Sequence, residues 1–469
     1  MIVDAQAGAS APSRSDARWI AALALEVRLA VVIWAALRFP PTADGTYYQR
    51  IAERIAQGLG YTWLWPDGAV TFAAHYPVGY PAAIGAIYAL VGPHPWAAMG
   101  LNAALGALAA YAAHRLAARS GSRTIALVAG LLVALHPGLV AYTPALMTEG
   151  VVASLVVVAA ALAAWTRDRV ASRWIGLTLL GLVLGAATLV RPQSLVLAPL
   201  FAAIAVEGDL RRRAIAAALA TLVTLAVCAP WTARNCVRMK RCALVSVNGG
   251  WNLLIGADAA STGAWSPVQV PDACREVYDE AEKDRCFGHA AQGYIAAHPL
   301  AWIALAPKKL AATFDYAGAA GWYLHASNAE AFPDGAKVAL GVVETLFERV
   351  VLVLALAGMA RRPEAREARR RRQARLAVAI VGVVTALTPA AWIAYVALVG
   401  VALLRGRALV RGPVLFAATA ATVAATIATH AVFFGAGRYS LVVFPLVAAL
   451  AALAFAPPHP DLKETSQAL

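Results

Sequence analysis

The chain has 469 residues, of which 61% are hydrophobic and 14% are charged. An average soluble domain has about 25% charged residues, so this composition excludes an ordinary soluble globule. The 40 Lys and Arg residues outnumber the 26 Asp and Glu residues, and the net charge is +14. In a soluble protein this surplus would indicate a nucleic-acid partner. In a membrane protein topology accounts for it, and we expect no nucleic-acid binding.

Long hydrophobic runs alternate with short charged connectors along the chain. A membrane-spanning helix needs about 20 mostly apolar residues. The pattern predicts crossings at residues 19–38, 95–114, 124–142, 150–166, 174–190, 195–206, 214–231, 340–359, 376–388, 391–404, 413–434 and 441–457. We interpret 376–404 as a hairpin broken at Thr388 and Pro389. The predicted fold is an all-α polytopic membrane protein with about twelve transmembrane helices.

The distribution of arginine predicts the orientation. The inner connectors would hold Arg115, Arg119, Arg123, Arg167, Arg169, Arg173, Arg211, Arg212, Arg213, the basic run 361–375, Arg405, Arg407 and Arg411. The outer connectors 143–149 and 435–440 hold none and one basic residue, as the positive-inside rule requires. We therefore predict cytoplasmic termini, an uncleaved N-terminal anchor and a bacterial inner (plasma) membrane location.

The first predicted crossing contains two charged residues, Glu26 and Arg28. A charge at the centre of a membrane helix costs about 2.5 to 3.5 kcal/mol on insertion scales. Both residues fall in the predicted cytoplasmic half, and we expect them to reach the interface by snorkelling.

Two stretches lie outside the predicted crossings on the outer side: residues 39–94, the first loop segment, and 232–339, the second loop segment. We divide the chain into an N-terminal transmembrane catalytic module (1–231), which includes the first loop segment, an extracytoplasmic segment (232–339) and C-terminal transmembrane helices (340–469). Amphipathic helices are expected on the outer face, and chemistry is expected there too.

Four of the five cysteines fall in the second loop segment: Cys236, Cys242, Cys274 and Cys286. An even set of cysteines on the outer side indicates disulfides in an oxidising compartment. Four cysteines allow three pairings, of which we favour the local ones, Cys236 with Cys242 and Cys274 with Cys286. Free thiols are the alternative.

Two acids, Asp44 and Glu149, lie at the predicted outer level. Asp44 opens a helix in which Tyr47, Ile51 and Ile55 recur every four residues, as in an amphipathic helix at a membrane interface. Glu149 begins the fourth crossing. Each carboxylate could simply stabilise a helix N-terminus. Together they could act in proton transfer or hold a divalent metal ion.

Arg191 and Arg438 are the sole basic residues of two short outer connectors, against the positive-inside bias. A guanidinium at a helix end can snorkel, but it also offers paired donors to a phosphate, and we favour a phosphate clamp. Arg234 is a third candidate.

Aromatic and amide residues in the two loop segments are candidate substrate-binding groups. His75, Tyr76 and Tyr80 could stack on a sugar or a lipid head, or belong to an interfacial aromatic belt. Asn248 and Trp251, beside glycine-rich turns, are chemically suited to carbohydrate. The sequence has no P-loop, zinc-type cysteine spacing or serine elbow.

Several short motifs occur together in this order: Asp44 with Tyr47 and Tyr48; 76–81; Thr148 with Glu149; 189–192; Pro230 and Trp231 with Arg234 and Asn235; 248–256 with 262–263; His298 with Pro299; and 437–439, which holds Tyr439. Their order and spacing resemble GT-C membrane glycosyltransferases. The branch concerned includes the dolichyl-phosphate-mannose protein mannosyltransferases and the bacterial lipid A aminoarabinose transferases.

The resemblance implies that a sugar passes, with inversion, from a polyprenyl-phosphate carrier to a lipid, glycan or protein acceptor on the outer face. It implies catalysis by Asp44, a second acidic position at Glu149, and a lipid phosphate held by Arg191 and Arg438. Gly45 stands where the protein mannosyltransferases have a Glu, which argues against protein O-mannosylation. No cofactor is required by the sequence, and a divalent ion at the two acids stays open.

Two other functions are compatible with the sequence. In a transporter or lipid flippase, the membrane carboxylates and arginines would form a proton relay or a substrate path. Transporters often show inverted repeats, and the sequence shows no internal duplication. A non-catalytic assembly partner would use the second loop segment as a binding module.

Overall fold

The computed structural model describes residues 14–257, 261–362 and 367–455. The predicted positions of both termini, the last two residues of the crossing 441–457 and part of the basic run 361–375 lie outside the described residues. The described helices are α1 (Arg14–Ala35), α2 (Asp44–Ala56), α3 (Gly79–Val91), α4 (Pro95–Ala117), α5 (Arg123–Ala134), α6 (Pro137–Ala141), α7 (Thr148–Asp168), α8 (Arg173–Val190), α9 (Leu197–Ile204), α10 (Leu210–Arg238), α11 (Gly249–Ala257), α12 (Glu280–Ala297), α13 (Pro299–Ala304), α14 (Ala306–Phe314), α15 (Ala319–Ser327), α16 (Asp334–Arg361), α17 (Arg369–Ala386), α18 (Trp392–Leu404), α19 (Arg407–Arg411), α20 (Val414–Val432) and α21 (Phe444–Ala451). A short antiparallel hairpin, β1 (Thr62–Leu64) with β2 (Val70–Phe72), pairs Trp63 with Thr71.

Long apolar helices support an integral membrane protein. Within the described residues, five helical stretches are long and apolar enough to cross a membrane: Pro95–Ala117, Thr148–Asp168, Val170–Val190, Leu210–Arg238 and Val414–Val432. Each coincides with a predicted crossing. The count of about twelve crossings stays a prediction.

Proline decides where the predicted crossings break. The crossing expected at 124–142 is not one helix, because α5 ends at Ala134 and α6 begins at Pro137. Proline lacks the backbone N–H that a continuing helix needs. The hairpin expected in 376–404 is confirmed, since α17 ends at Ala386 and α18 begins at Trp392.

The break after α5 explains why Arg28 does not snorkel. Its side chain is 1% exposed. It donates to the carbonyl oxygens of Ala134 at 2.9 Å and Val133 at 3.1 Å, at the C-terminal end of α5. Helix ends leave carbonyl groups without intrahelical partners, and a buried guanidinium supplies donors for them. The expectation of a snorkelling Arg28 is therefore wrong.

The arginine-rich connectors meet at one end of the helix bundle. Arg119 forms an ion pair with Asp168 at 2.6 Å. Arg167 donates to the carbonyl oxygen of Val410 at 3.0 Å, and Arg362 donates to that of Ser120 at 2.7 Å. Connectors predicted to share the inner side thus share one end of the structure.

The first loop segment folds back on itself. In α2, Ile51 is 1% exposed and packs with Tyr61, Ala73 and Val78. A β-carbon on Gly85 of α3 would lie 2.8 Å from Ile55, so α2 and α3 are in close contact. Ile51 and Ile55 of the apolar stripe are therefore covered by protein, while Tyr47 is 41% exposed, and a position of α2 in the membrane interface stays a prediction.

The second loop segment packs against the first. Helix α10 extends to Arg238, so the expected boundary at residue 231 falls inside a helix. The structure contains the disulfides Cys236–Cys242 and Cys274–Cys286, which are the two local pairings that the sequence favours.

Backbone and side-chain hydrogen bonds join the two loop segments. Val247 N–H donates to the carbonyl oxygen of Ala74 at 2.8 Å. The Glu280 carboxylate accepts from the N–H groups of Ala74 and His75 at 2.9 and 2.7 Å. These contacts fix the backbone that carries His75.

We predict that Arg28→Met lowers the stability of the protein in detergent, because it leaves the carbonyl groups at the end of α5 buried without donors. Each unsatisfied buried group costs about 1 to 3 kcal/mol. The thermal unfolding midpoint measures the loss. Arg18→Met, an exposed position on the same helix, is the matched control. Equal midpoints for the two variants would contradict the capping role.

Candidate active site

Asp44, Glu149, Arg191 and Arg438 come together in one ion-paired cluster. Nη1 of Arg438 lies 2.8 Å from Oδ2 of Asp44, and its Nε lies 3.4 Å from Oε1 of Glu149. Nη1 of Arg191 lies 2.7 Å from the same oxygen of Glu149. Two arginines and two carboxylates therefore form one continuous charged network, the charged cluster.

The charged cluster lies at the end of the bundle away from the arginine-rich connectors. Glu149 is in the first turn of α7, and Arg167 is in its last turn. Since a helix rises about 1.5 Å per residue, these two ends are about 30 Å apart. Asp44 lies in the first loop segment, and Arg191 follows the last residue of α8.

Gly45 allows the first loop segment to approach the bundle at Asp44. A β-carbon at Gly45 would lie 2.9 Å from the Tyr323 hydroxyl and 3.0 Å from the carbonyl oxygen of Leu146. The same hydroxyl accepts from Leu146 N–H at 3.2 Å. A glutamate side chain in place of Gly45 does not fit this packing, which gives a physical reason for the departure from the protein mannosyltransferases.

The ring of Tyr439 packs against both arginines of the charged cluster. The guanidinium carbons of Arg191 and Arg438 lie 4.8 and 5.2 Å from the centre of its ring, and the ring stacks on His430 at 4.3 Å. An aromatic face attracts cations. Two like charges can share this place because Glu149, 2% exposed, lies between them.

Both arginines stay charged. Burial acts to lower the pKa of Arg438, but Tyr439, Glu149 and Asp44 raise it above its ordinary value. For Arg191, burial also lowers the pKa and Glu149 raises it, again with a net increase. The charged cluster therefore keeps two guanidinium groups at every physiological pH.

Tyr142 completes the contacts of Glu149. Its hydroxyl donates to Oε2 of Glu149 at 3.2 Å, and the tyrosine is buried. Sequence reasoning missed Tyr142 and Tyr323. Tyr142 falls in the connector just before Glu149, and that position at the outer level was the available signal. Nothing in the sequence pattern singles out Tyr323.

Aromatic side chains lie on the other side of Asp44. The Tyr76 hydroxyl lies 3.4 Å from Oδ1 of Asp44. The Tyr76 ring stacks on Tyr47 at 5.1 Å and contacts Tyr48 edge-on at 5.2 Å. Burial lowers the pKa of His75, so its ring is neutral at pH 7. Burial raises the pKa of Tyr76, so its hydroxyl stays protonated.

Other predicted residues lie elsewhere. Tyr80 is buried and donates to Asn102 at 3.0 Å. Arg234 donates to the carbonyl oxygens of Ala73 and Tyr61, both at 2.8 Å, so it binds the first loop segment and does not join the charged cluster.

Asn248 and Trp251 belong to the second loop segment. The Trp251 ring contacts His75 edge-on at 5.2 Å, and its backbone N–H donates to Asp284 at 2.9 Å. Asn248 accepts from Ser246 at 2.9 Å. Only Trp251 of this pair contacts the aromatic residues near Asp44.

The arrangement does not fit a divalent metal ion. Among the described residues, no group of three or more His, Cys, Asp and Glu side chains could hold one. Asp44 and Glu149 both contact Arg438. A guanidinium at this position would repel a second cation. We therefore derive no chemistry from a metal at these acids.

Lys309, which sequence reasoning also missed, supports the connector that carries Arg438. Its side chain is fully buried in α14. Its ammonium donates to the carbonyl oxygens of Val432 at 2.9 Å and Ala431 at 3.3 Å, at the end of α20, and lies 5.2 Å from the Trp302 ring centre. Burial lowers the pKa of Lys309 to about 8.

A backbone bridge holds the same connector. Gly435 N–H donates to the carbonyl oxygen of Gly263 at 2.8 Å, and Trp265 N–H donates to that of Gly435 at 3.1 Å. A β-carbon at Gly435 would lie 1.9 Å from the carbonyl oxygen of Lys309, so only glycine fits. The second loop segment thereby positions Arg438.

We predict a pH-dependent contribution of Lys309 to stability. Folded chains lose this proton near pH 8, whereas unfolded chains keep it to about pH 10.5. Between these values the unfolded state binds more protons, so stability rises with pH. The thermal midpoint of the natural protein should therefore rise from pH 8 to 10 relative to that of Lys309→Met. The exposed neighbour variant Lys308→Met should follow the natural protein. Parallel curves for all three proteins would contradict the assignment.

One known protein family matches a part of the chain. Residues 75–233 match the protein family described as dolichyl-phosphate-mannose-protein mannosyltransferase. The matched range contains Glu149 and Arg191, while Asp44 and Arg438 lie outside it. No curated protein matches the chain.

Solved structures with a similar path of the chain have low sequence identity to it. One is the oligosaccharyltransferase AglB from Archaeoglobus fulgidus in complex with an inhibitory peptide and a dolichol-phosphate, with 15% identity and a TM-score of 0.46, covering 94% of this chain and 49% of that chain. Another is ArnT from Cupriavidus metallidurans in the apo state, with 16% identity and a TM-score of 0.40, covering 94% of this chain and 78% of that chain.

The chain spans about half the length of the AglB chain. The match over residues 75–233 agrees with the resemblance found in the sequence and supports a membrane glycosyltransferase of the GT-C type.

Proposed function

We propose that this glycosyltransferase moves a sugar from a polyprenyl-phosphate donor to a lipid, glycan or protein acceptor, with inversion of the anomeric carbon. The reaction takes place on the extracytoplasmic face of a bacterial inner membrane. The observation that carries this proposal is the charged cluster, in which two buried arginines are held by two carboxylates at one end of an apolar helix bundle.

The apolar cavity has a volume of about 530 Å³ and lies between α3, α4, α7, α8 and α10. Its wall includes Leu101, Leu155 and Val227. Val151 of α7 and Val190 of α8 also line it, so the cavity and the charged cluster share two helices, although no residue of the cluster lines the cavity. An apolar cavity of this size suits a hydrocarbon chain, and the paired cations suit a phosphate head.

The two arginines would hold the phosphate. Within the described part of the chain, only Nη1 of Arg191 has hydrogen-bond partners, Glu149 and Thr148. Its remaining N–H groups can therefore donate to phosphate oxygens. A polyprenyl-phosphate sugar is a phosphodiester with one negative charge, and the departing phosphate monoester gains a second. The arginines thus stabilise charge that develops during the reaction.

Asp44 would act as the general base. Its Oδ2 is held by Arg438, while Oδ1 faces the Tyr76 hydroxyl at 3.4 Å. An acceptor hydroxyl or amine gives its proton to this carboxylate and forms a bond to the anomeric carbon. The bond from that carbon to the phosphate oxygen breaks, and its electron pair leaves with the polyprenyl phosphate. Attack from the side opposite the phosphate inverts the configuration.

The proposed face follows from the two ends of the bundle. The charged cluster lies at the end opposite the arginine-rich connectors. Arginine-rich connectors are cytoplasmic under the positive-inside rule. The disulfides of the second loop segment, at the same end as the charged cluster, also favour an oxidising compartment.

We expect Asp44→Asn and Arg438→Lys each to reduce transfer from a polyprenyl-phospho-sugar by about 10² to 10³-fold, since they remove a base and a multiply bonded guanidinium. Transfer is measured with radiolabelled donor on purified, folded protein. Arg50→Gln, an exposed position on α2, should keep full activity. Full activity of both cluster variants would exclude this mechanism.

We also expect transfer to continue at an unchanged rate in excess EDTA. The reason is that Arg438, and no other side chain among the described residues, contacts both Asp44 and Glu149. The rate is compared with and without added Mg²⁺ or Mn²⁺. A strict requirement for either ion would show that the acids rearrange around a metal.

A further inference from the structure

Three large apolar side chains are exposed on one face of the β-hairpin. Leu64 and Val70 pair directly across the two strands, and Phe72 follows Val70 by two residues, so the three share a face. They are 52%, 54% and 43% exposed, respectively. These three residues are the hairpin patch. Grouped exposed apolar side chains indicate a surface that meets a membrane or another molecule.

The hairpin patch is attached to one end of α10. The guanidinium carbons of Arg238 and Arg234 lie 4.6 and 5.6 Å from the centre of the Phe72 ring. Arg234 also donates to the carbonyl oxygens of Tyr61 and Ala73, the residues that flank the two strands. Because Arg238 is the last residue of α10 and the arginine-rich connector 211–213 is at its start, the hairpin lies at the charged-cluster end of this helix.

Most of α10 faces away from the protein. Between the arginine-rich start and Trp231 its buried residues recur every four positions: Ala216, Ala220, Thr224 and Cys228. Residues four apart lie on the same side of a helix, so one narrow stripe is packed. The stretch 214–231 contains no charged residue. An apolar helix that packs along one stripe exposes its remaining surface to lipid.

The length of α10 sets the height of the hairpin patch. At 1.5 Å per residue the uncharged stretch 214–231 is about 27 Å long, close to the hydrocarbon thickness of a bilayer. Arg234 and Arg238 follow Trp231 by three and seven residues, which is about 5 and 10 Å further along the helix axis. The headgroup layer of each leaflet is roughly 5 to 8 Å thick. Phe72, which contacts both arginines, therefore lies at the level of the lipid headgroups.

We propose that the hairpin patch binds the membrane surface, in the headgroup region of the leaflet on the side of the charged cluster. The inference does not depend on the proposed function. The patch continues the lipid-facing surface of α10, and this continuity selects lipid over a protein partner. Arg238 is exposed beside Phe72, where its guanidinium can donate to lipid phosphate groups while the apolar side chains enter the boundary of the acyl chains.

The hairpin turn determines how the hairpin lies on the membrane. Asp67 in this turn is exposed, and its carboxylate accepts only a local backbone N–H, that of Ala69 at 3.0 Å, among the described residues. A carboxylate is costly to place in hydrocarbon. The hairpin therefore lies flat, with the patch toward the lipid and its turn in water.

The test measures the depth of single nitroxide labels on the full chain in phosphatidylcholine–phosphatidylglycerol bilayers. The labels are attached to Leu64→Cys, Val70→Cys and Thr71→Cys. The natural cysteines do not compete for the label, since four form disulfides and Cys228 is buried. Oxygen dissolves in lipid, whereas a nickel chelate stays in water. We expect the ratio of oxygen to chelate collision rates at positions 64 and 70 to be at least about threefold higher than at position 71.

Thr71 is the matched control, because it is exposed and adjacent to Val70 but faces the other side of the hairpin. On that side its strand partner Trp63 packs on Tyr47 of α2 at 4.9 Å. Equal ratios at all three positions would show a patch in water and overturn the inference. Low collision rates with both reagents at positions 64 and 70 would show cover by another protein chain, which overturns it as well. Either patch position suffices if the other variant does not fold.

Discussion

The contact of Arg438 with Asp44 and Glu149 is the interaction on which the rest of the site depends. These residues are far apart in the chain, with a sequence separation of 394 between Asp44 and Arg438. A carboxylate that is 2% exposed, as Glu149 is, needs a cationic partner because burying an unpaired charge is costly. The pairing therefore brings the first loop segment, α7, the end of α8 and the connector after α20 to one point. In the proposed mechanism, a phosphate at this point would meet guanidinium groups that are already oriented.

The second loop segment mainly holds the backbone around the charged cluster in place. Its Glu280 holds the backbone at His75, and its Lys309 holds the end of α20. The bridge between Gly263 and Gly435 fixes the connector just before Arg438. Disulfides in this segment restrict it in turn. A membrane glycosyltransferase needs its catalytic groups in fixed positions, since preorganised charges stabilise a transition state without rearranging during the reaction.

The site has two chemically different sides. Arg438 contacts one carboxylate oxygen of Asp44, and the Tyr76 hydroxyl lies 3.4 Å from the other. Helix α2 is amphipathic because Ile51 and Ile55 pack against the first loop segment and α3, while Tyr47 stays exposed.

The sequence by itself determined the helical class, five of the apolar helices and the residues of the charged cluster. Charge in an apolar chain is costly, so Glu149, Arg191 and Arg438 stood out in short connectors, and Asp44 stood out just after the first crossing, without any knowledge of the fold. The tertiary structure alone decided which charges meet. Arg28 and Arg234 look equally unusual in the sequence, yet both bind backbone carbonyl groups. Trp63, Tyr142 and Lys309 had no periodic signal, because their neighbours come from distant parts of the chain, and distances between such parts are set by packing.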